Sequence, residues 1–300
     1  MKKIKSIITH TAFIRENGIP ENEYKSSYQE FDINQNIIKD VIYTVDGEIE
    51  SASGYKFNES NILIEEIHYL NEADVAERLV YKYDNNRDLC ETETTYSDGS
   101  KSFKKVNRNK QILSVSTLDE DNKLEGKEIK KFDKEGNVFE EVIYDENKNI
   151  IQKFLHDHDN ENQLISTIEF SENERFVIKK IFKYNNKGHI IMESHHSERG
   201  KLIKTIISEY NEEGELTLQQ YGNNYLIKIS YDDKKRRIKD ETINLSNNLI
   251  EALKLYKYDE NDFLTEQISY EMGQQYELQP GAFGRTNSNY MSTKYQYEIY

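Results

Sequence analysis

Hydrophobic and polar residues alternate along most of this chain. In "KLIKTIISEY", Leu202, Lys204, Ile206, Ser208 and Tyr210 fall on one face, and Ile203, Thr205, Ile207 and Glu209 on the other. "FVIKKIFKY" behaves alike, with Phe176, Ile178, Phe182 and Tyr184 set against Val177, Lys179, Ile181 and Lys183. A period of two, not 3.6, is the mark of extended strands. Between these stretches lie short polar runs such as "DKEG", "DENKN", "NNKG", "NEEG" and "DENDF". Asp and Asn bond their own backbone two residues on, and Gly or Asn accepts positive φ, so each run predicts a tight turn.

The turns repeat with a fixed phase. An aromatic or apolar residue, usually followed by Asp, Asn or Ser, is answered by an apolar residue six positions later. The first series runs through Phe31/Ile37, Phe57/Leu63, Tyr83/Leu89, Val106/Ile112, Phe132/Val138, His158/Leu164, Tyr184/Ile190, Tyr210/Leu216 and Tyr258/Leu264, mostly in steps of 26 residues. A second series lies between these, with Leu118/Leu124, Tyr144/Ile150, Phe170/Phe176, His196/Leu202, Tyr221/Ile227 and Tyr270/Tyr276. Self-similarity at a fixed period identifies a repeat architecture. Residues six apart flank one tight loop, so the ring and the returning side chain face each other on neighbouring strands. Such a pair contributes roughly 0.2–1 kcal/mol and fixes register.

The expectation is therefore an all-β fold: a long antiparallel β-meander of repeated hairpins, about 26 residues per two hairpins. Sheets twist and rarely exceed ~10 strands without curling, so the ribbon is expected to coil into a spiral or to extend as a solenoid-like sheet. Three segments follow: an N-terminal cap over 1–27, the hairpin repeats over 28–276, and an irregular loop with a closing strand over 277–300. Phe31, Phe57, Tyr83, Phe132, Tyr144, His158, Phe170, Tyr184, Tyr210 and Tyr258 are the structural repeat positions.

Composition sharpens the picture. Hydrophobic residues make up 36% and charged residues 32% of 300 positions, which suits an ordered but thin structure with much solvated surface. With 22 Tyr and 12 Phe the chain is not of the disordered type. A formal net charge of -15 repels phosphate backbones and anionic membrane surfaces, leaving a basic protein as the partner class such a field attracts. The single cysteine, Cys90, excludes an internal disulfide framework. "MKKIKSIITHTAFIREN" begins with lysines, but its apolar stretch is broken by Thr9, His10 and Thr11, and a cytoplasmic location is expected.

The turn motif resembles that of the YD-repeat proteins, the repeat type of RHS proteins and of toxin-complex shells. "YDNNRDL" at 83, "FDKEGNV" at 132, "YDENKNI" at 144, "YNNKGHI" at 184, "YNEEGEL" at 210 and "YDENDFL" at 258 carry the likeness, over about residues 28 to 276. The family's Gly-Arg-Leu half-motif, its Asp-Pro-x-Gly-Leu segment and a toxin domain are missing. In long relatives the ribbon winds into a hollow shell around a toxin. Here the resemblance implies the ribbon and not the encapsulating device. Small repeat proteins of this look also occur as immunity factors of secreted bacterial toxins.

Candidate chemistry is sparse. His156 and His158 in "HDHD" lie near Asp159, and His189, His195 and His196 follow, but His158 and His196 occupy the ring position of the template, so packing is expected over metal binding. Glu140/Glu141 and Glu65/Glu66 are neighbours on strands, hence on opposite faces, and cannot work as glycosidase pairs. "KKRR" at 234 to 237 reads as a polar turn. Neither catalytic residues nor a cofactor are expected. The expected role is a non-catalytic protein-binding repeat protein, an immunity partner that neutralises a basic bacterial toxin by occlusion. A carbohydrate-binding or surface-associated YD-repeat module, and a fragmentary RHS-type shell, are the alternatives. Function concentrates on loops, and rigid aromatics and arginine dominate hot spots, so Phe283, Arg285, Asn287 and Tyr290 are the expected contact residues.

Overall fold

A computed structural model describes residues 2–14, 20–71, 73–271, 275–279, 282–285 and 289–300. The described chain forms 24 β-strands and a single 3₁₀ turn at Glu172–Glu174. The loop Tyr144–Ile150 shows how the sequence makes each hairpin. Asp145 N–H donates to the Asn149 carbonyl at 3.0 Å and Lys148 N–H to the Asp145 carbonyl at 3.1 Å. The Asp145 carboxylate accepts the N–H groups of Asn147 and Asn149 at 2.9 and 2.7 Å, and the Asn149 amide at 2.9 Å. Lys148 has φ +65°, the left-handed residue that completes a type I turn with a bulge.

The same arrangement recurs at Asp32, Asn58, Asp84, Asp159, Asn185, Asp232 and Asp259. The residue three beyond each of these has positive φ: Gln35, Asn61, Arg87, Asn162, Gly188, Lys235 and Asp262. Turn chemistry in turn sets register. Phe31 opposes Ile37, Tyr83 opposes Leu89, Phe132 opposes Val138 and Tyr144 opposes Ile150. His158/Leu164, Phe170/Phe176, Tyr184/Ile190 and Tyr258/Leu264 do likewise. Three template pairs depart from this, one being Tyr270/Tyr276, whose Tyr270 opposes Tyr290 while Tyr276 opposes Gly284. Val106 opposes Val115, not Ile112, and Tyr221 opposes Tyr225, with which it stacks at 4.7 Å, not Ile227.

Twenty-two strands belong to one antiparallel sheet. The strand Ile4–Ile14 pairs on one side with Pro20–Phe31 and on the other with Asn289–Ile299, which pairs onward with Leu264–Glu271. The 22-stranded sheet thus has its first and last strands paired with each other and is closed, not open. The expected spiral or solenoid-like open sheet is therefore incorrect. An open ribbon leaves two rows of unpaired N–H and C=O groups at its first and last strands. Here those two strands satisfy each other over ten registered pairs, from Ile4 opposite Ile299 to Ile14 opposite Tyr290. After Leu264–Glu271 come two further short strands, Gln275–Gln279 and Ala282–Arg285, paired with each other.

The chain divides into two compact units. One comprises Met1–Tyr55, His68–Asp74 and Glu209–Tyr300, the other Lys56–Ile67 and Val75–Ser208. In the described chain the buried hydrophobic residues are Ala12, Val41, Ala52, Val142 and Ile229. Small hydroxyl residues hold many other buried places, among them Ser6, Thr11, Ser102, Ser166, Ser194 and Ser292. Each has a polar partner, as with Ser166 Oγ on Asp157 at 2.7 Å, Thr11 Oγ1 on Ser26 at 2.8 Å and Ser292 Oγ on Glu266 at 2.9 Å. Buried polar groups are tolerable when bonded, so a chain poor in aliphatic residues still covers its strand centres. No helix among the described residues is long and apolar enough to cross a membrane.

Candidate binding surface

Charges on the strands are largely consumed by cross-strand pairing. In the second unit Glu65 is held by Lys56 and Arg78, both at 2.8 Å, and Glu93 by Lys101 at 2.6 Å and Lys82 at 3.2 Å. Glu140 pairs with Lys131 at 2.5 Å and Glu141 with Lys130 at 3.3 Å, so the adjacent glutamates serve separate partners. Hydrogen bonds from Arg78 and Lys56 hold the Glu65 carboxyl below its ordinary value despite burial. In the first unit Arg237 clasps the buried Asp240 at 2.5 and 2.7 Å, and Tyr256 donates to the same carboxylate at 2.6 Å. Three residues of the "KKRR" run, Lys234, Arg236 and Arg237, are also paired. Lys234 pairs with Asp262 at 2.7 Å, while Arg236 pairs with Asp232 at 2.6 Å and lies over the Tyr258 ring at 4.7 Å.

Charges in the turns are different. Glu120, Glu135, Glu146, Glu161, Glu213, Asp233 and Glu260 all sit in hairpin loops and are exposed. Two of the capping aspartates beside them are held below their ordinary value: the Asn149 amide, aided by backbone N–H groups, holds Asp145 low, and Arg236 does so for Asp232. Hairpin ends therefore carry the acidic surplus, while the strand faces are nearly self-neutralised.

The strands that close the sheet form an apolar recess of about 540 Å³ within the first unit. Phe13, Ile14, Val45, Tyr290 and Met291 give it apolar walls, and Glu21, Asn22, Ser269 and Glu271 supply its polar groups. Four consecutive strands position them. Phe13 opposes Glu21 and Met291, Ile14 opposes Tyr290, and Tyr290 opposes Tyr270 with ring centroids 5.0 Å apart. Phe13 and Val45 are 51% and 48% exposed, too much for side chains serving a core alone. A second recess of about 510 Å³ is lined by His10, Glu23, Thr265, Glu266, Lys294, Tyr295 and Gln296. Its charges already have partners, Lys294 with Glu23 at 3.0 Å and Glu266 with Lys257 at 2.6 Å.

Of the expected contact residues, Tyr290 lines the apolar recess. Phe283 and Arg285 lie on the short strand Ala282–Arg285, opposite Glu277 and Gln275. Asn287 lies outside the described residues. Sequence reasoning missed Phe13, Ile14 and Glu271. Ala12-Phe13-Ile14 was the available signal, because consecutive apolar residues break the period of two and present an apolar group to both faces. Of the histidines, His156 meets Thr167 at 3.0 Å and stacks on Phe154, while His196 meets Ser194 at 2.9 Å. Burial holds the His156 imidazole below its ordinary value.

No protein-family model matches the chain, and no curated protein matches its sequence. Solved structures similar to it include TcdB2-TccC3-Cdc42, with a TM-score of 0.41 and 12% identity over 88% of this chain and 18% of that one. The Photorhabdus luminescens Tc holotoxin pore gives 0.32 and 12%, over 96% of this chain and 18% of that one. A porin-like protein from Bacteroides uniformis gives 0.30 and 8%, over 98% of each chain. The chain thus spans less than a fifth of the two Tc chains it is similar to.

Proposed function

We propose that this chain is a non-catalytic binding protein for a basic protein partner, a neutralising or immunity partner of a basic bacterial toxin that acts by covering the toxin's working surface. The repeat is read with it as a short YD-like one, lacking the Gly-Arg-Leu half-motif. One observation carries the reading: the chain's charge of -15 is concentrated in exposed hairpin ends such as Glu135, Glu146, Glu161 and Glu213, while strand carboxylates are matched by lysine and arginine. Loops fixed by their own capping aspartate or asparagine present that charge without much loss of freedom on docking. Such a fringe steers a cationic partner and raises its association rate.

Affinity purification from the native cells tests this. A single basic protein is expected in stoichiometric amount at physiological salt. Reversing Glu135, Glu146, Glu161 and Glu213 to Lys should then slow association by about tenfold or more, with the effect shrinking as salt rises. Recovery of no basic protein, or an association rate indifferent to those substitutions, rejects the reading.

A further inference from the structure

We infer that Lys105, Ser116, Lys127 and Tyr144 form a seat for a small tetrahedral oxyanion of the phosphate or sulfate type. The seat lies within the second unit and stands independently of the basic-partner reading.

Register brings the four residues onto one face of the sheet. Ser116 opposes Lys105 of the strand Lys101–Arg108 and Lys127 of Leu124–Phe132, and Lys127 in turn opposes Tyr144 of Val138–Asp145. Strands lie about 4.8 Å apart, so the two lysine backbones stand about 10 Å apart across one short serine. Their long side chains flank the Ser116 hydroxyl from either side. The Lys127 ammonium and the Ser116 and Tyr144 hydroxyls have no hydrogen-bond or ion-pair partner among the described residues. Lys105 reaches only the Asn122 amide oxygen, at 3.3 Å. Glu91, which opposes Lys105, is engaged by Lys82 at 2.7 Å. By contrast Lys101, Lys130 and Lys131 on the same strands have carboxylate partners, Glu93 at 2.6 Å, Glu141 at 3.3 Å and Glu140 at 2.5 Å. Two ammonium groups and two hydroxyls, all half-buried, thus make a donor set without an acceptor. A tetrahedral oxyanion carries both the charge and the acceptors that fill it. The net charge of -15 repels a long polyanion, but a small ion answers to the charges within about 10 Å of it at ordinary salt.

Calorimetric titration of the full chain with inorganic phosphate, in chloride buffer of constant ionic strength, tests the seat. Saturable binding is expected, with sulfate competing. Lys105→Gln and Lys127→Gln should each weaken it by about tenfold, the loss of one charge-assisted contact, while Lys127→Arg retains it. Lys104→Gln is the control: it removes an equal charge from the neighbouring residue, on the opposite face of the same strand, and should leave binding unchanged. Tighter binding of phosphoserine than of phosphate would mark an ester as the better ligand, and the reverse order the free ion; both support the seat. Should Lys127→Gln fail to fold by circular dichroism, Lys105→Gln carries the test. Absence of saturable phosphate binding overturns the seat. An equal loss in Lys104→Gln overturns it as well, since diffuse charge and not a built site would then hold the ion.

Discussion

The Tyr184 hydroxyl donates to the Leu164 carbonyl at 2.7 Å, reaching back across the neighbouring hairpin to the residue that answers His158. Tyr83 does the same to Leu63 at 2.7 Å, Tyr231 to Leu216 at 2.9 Å, Tyr258 to Arg237 at 2.8 Å and Tyr297 to Leu264 at 2.9 Å. In each case the acceptor closes another loop, so the hydroxyl ties hairpin to hairpin. This explains why the repeat uses tyrosine so often where phenylalanine fills the same space. Tyr184→Phe should cost about 1 kcal/mol, the net worth of one such bond. Urea unfolding reads it, and an unchanged midpoint would mean the bond carries no stability.

The left-handed turn position offers a gain. Lys148 has φ +65° and Gly136, at the equivalent place, has φ +93° with nothing within 4 Å of a Cβ built there. The difference between the two is therefore one of backbone strain, not of space. Lys148→Gly should stabilise by about 0.5–1 kcal/mol and Gly136→Ala should destabilise by a similar amount. Opposite shifts in melting temperature check both; a loss in each would indicate that the lysine side chain matters more than its φ.

Which parts of the structure were legible in the sequence follows from where the determining contacts lie. The pairs Tyr144/Ile150 and Tyr184/Ile190 were readable because one aspartate or asparagine and five intervening residues settle each turn locally. Closure was not. Ile4 and Ile299 are nearly the whole chain apart, neither belongs to the template, and their pairing is fixed by backbone bonds that leave no residue signature. The apolar recess was hidden for the same reason, since Phe13 and Tyr290 become neighbours only when the sheet closes. Tyr290 was identified from its residue type in a presumed loop, although it stands on a paired strand.

The Arg237–Asp240–Tyr256 cluster shows how a thin sheet tolerates a buried charge. Asp240 is 6% exposed and is satisfied by two guanidinium bonds and one phenol bond. Asp240→Asn keeps the shape but removes the charge, leaving Arg237 short of a counter-ion. Because the Arg237 side chain is 43% exposed, water offsets part of the loss, and a cost of about 2 kcal/mol is expected in place of the 3–5 of a fully buried pair. Tyr256→Phe should cost about 1–2 kcal/mol, and the double variant less than the sum of the two, since both act on one carboxylate. Strict additivity in a double-mutant cycle would disprove the shared network.

The same groups set two limits of pH. Asp145, Asp232, Glu65 and Glu266 have folded pKa values below their ordinary ones, through the Asn149 amide, Arg236, the pair Arg78 and Lys56, and Lys257 respectively. For such groups the unfolded chain takes up protons first. Their stabilisation is complete above the ordinary values of 3.8 for Asp and 4.5 for Glu, and is lost as pH falls through and below them. Burial raises Tyr83, Tyr184, Tyr231 and Tyr258 above the ordinary 10.0, and burial with the Asp240 carboxylate raises Tyr256 further. Here the native state holds its protons longer, so stability is complete below 10.0 and declines as pH rises beyond it. Melting temperature should therefore be level between about pH 5 and 9 and fall on either side. Glu65→Gln should lower the plateau and make the acid limb shallower. On the alkaline limb a fraction of the tyrosinate absorbance should develop only together with the loss of β-sheet circular dichroism. Tyrosines that all ionise before any unfolding would contradict the hydroxyl ties between hairpins.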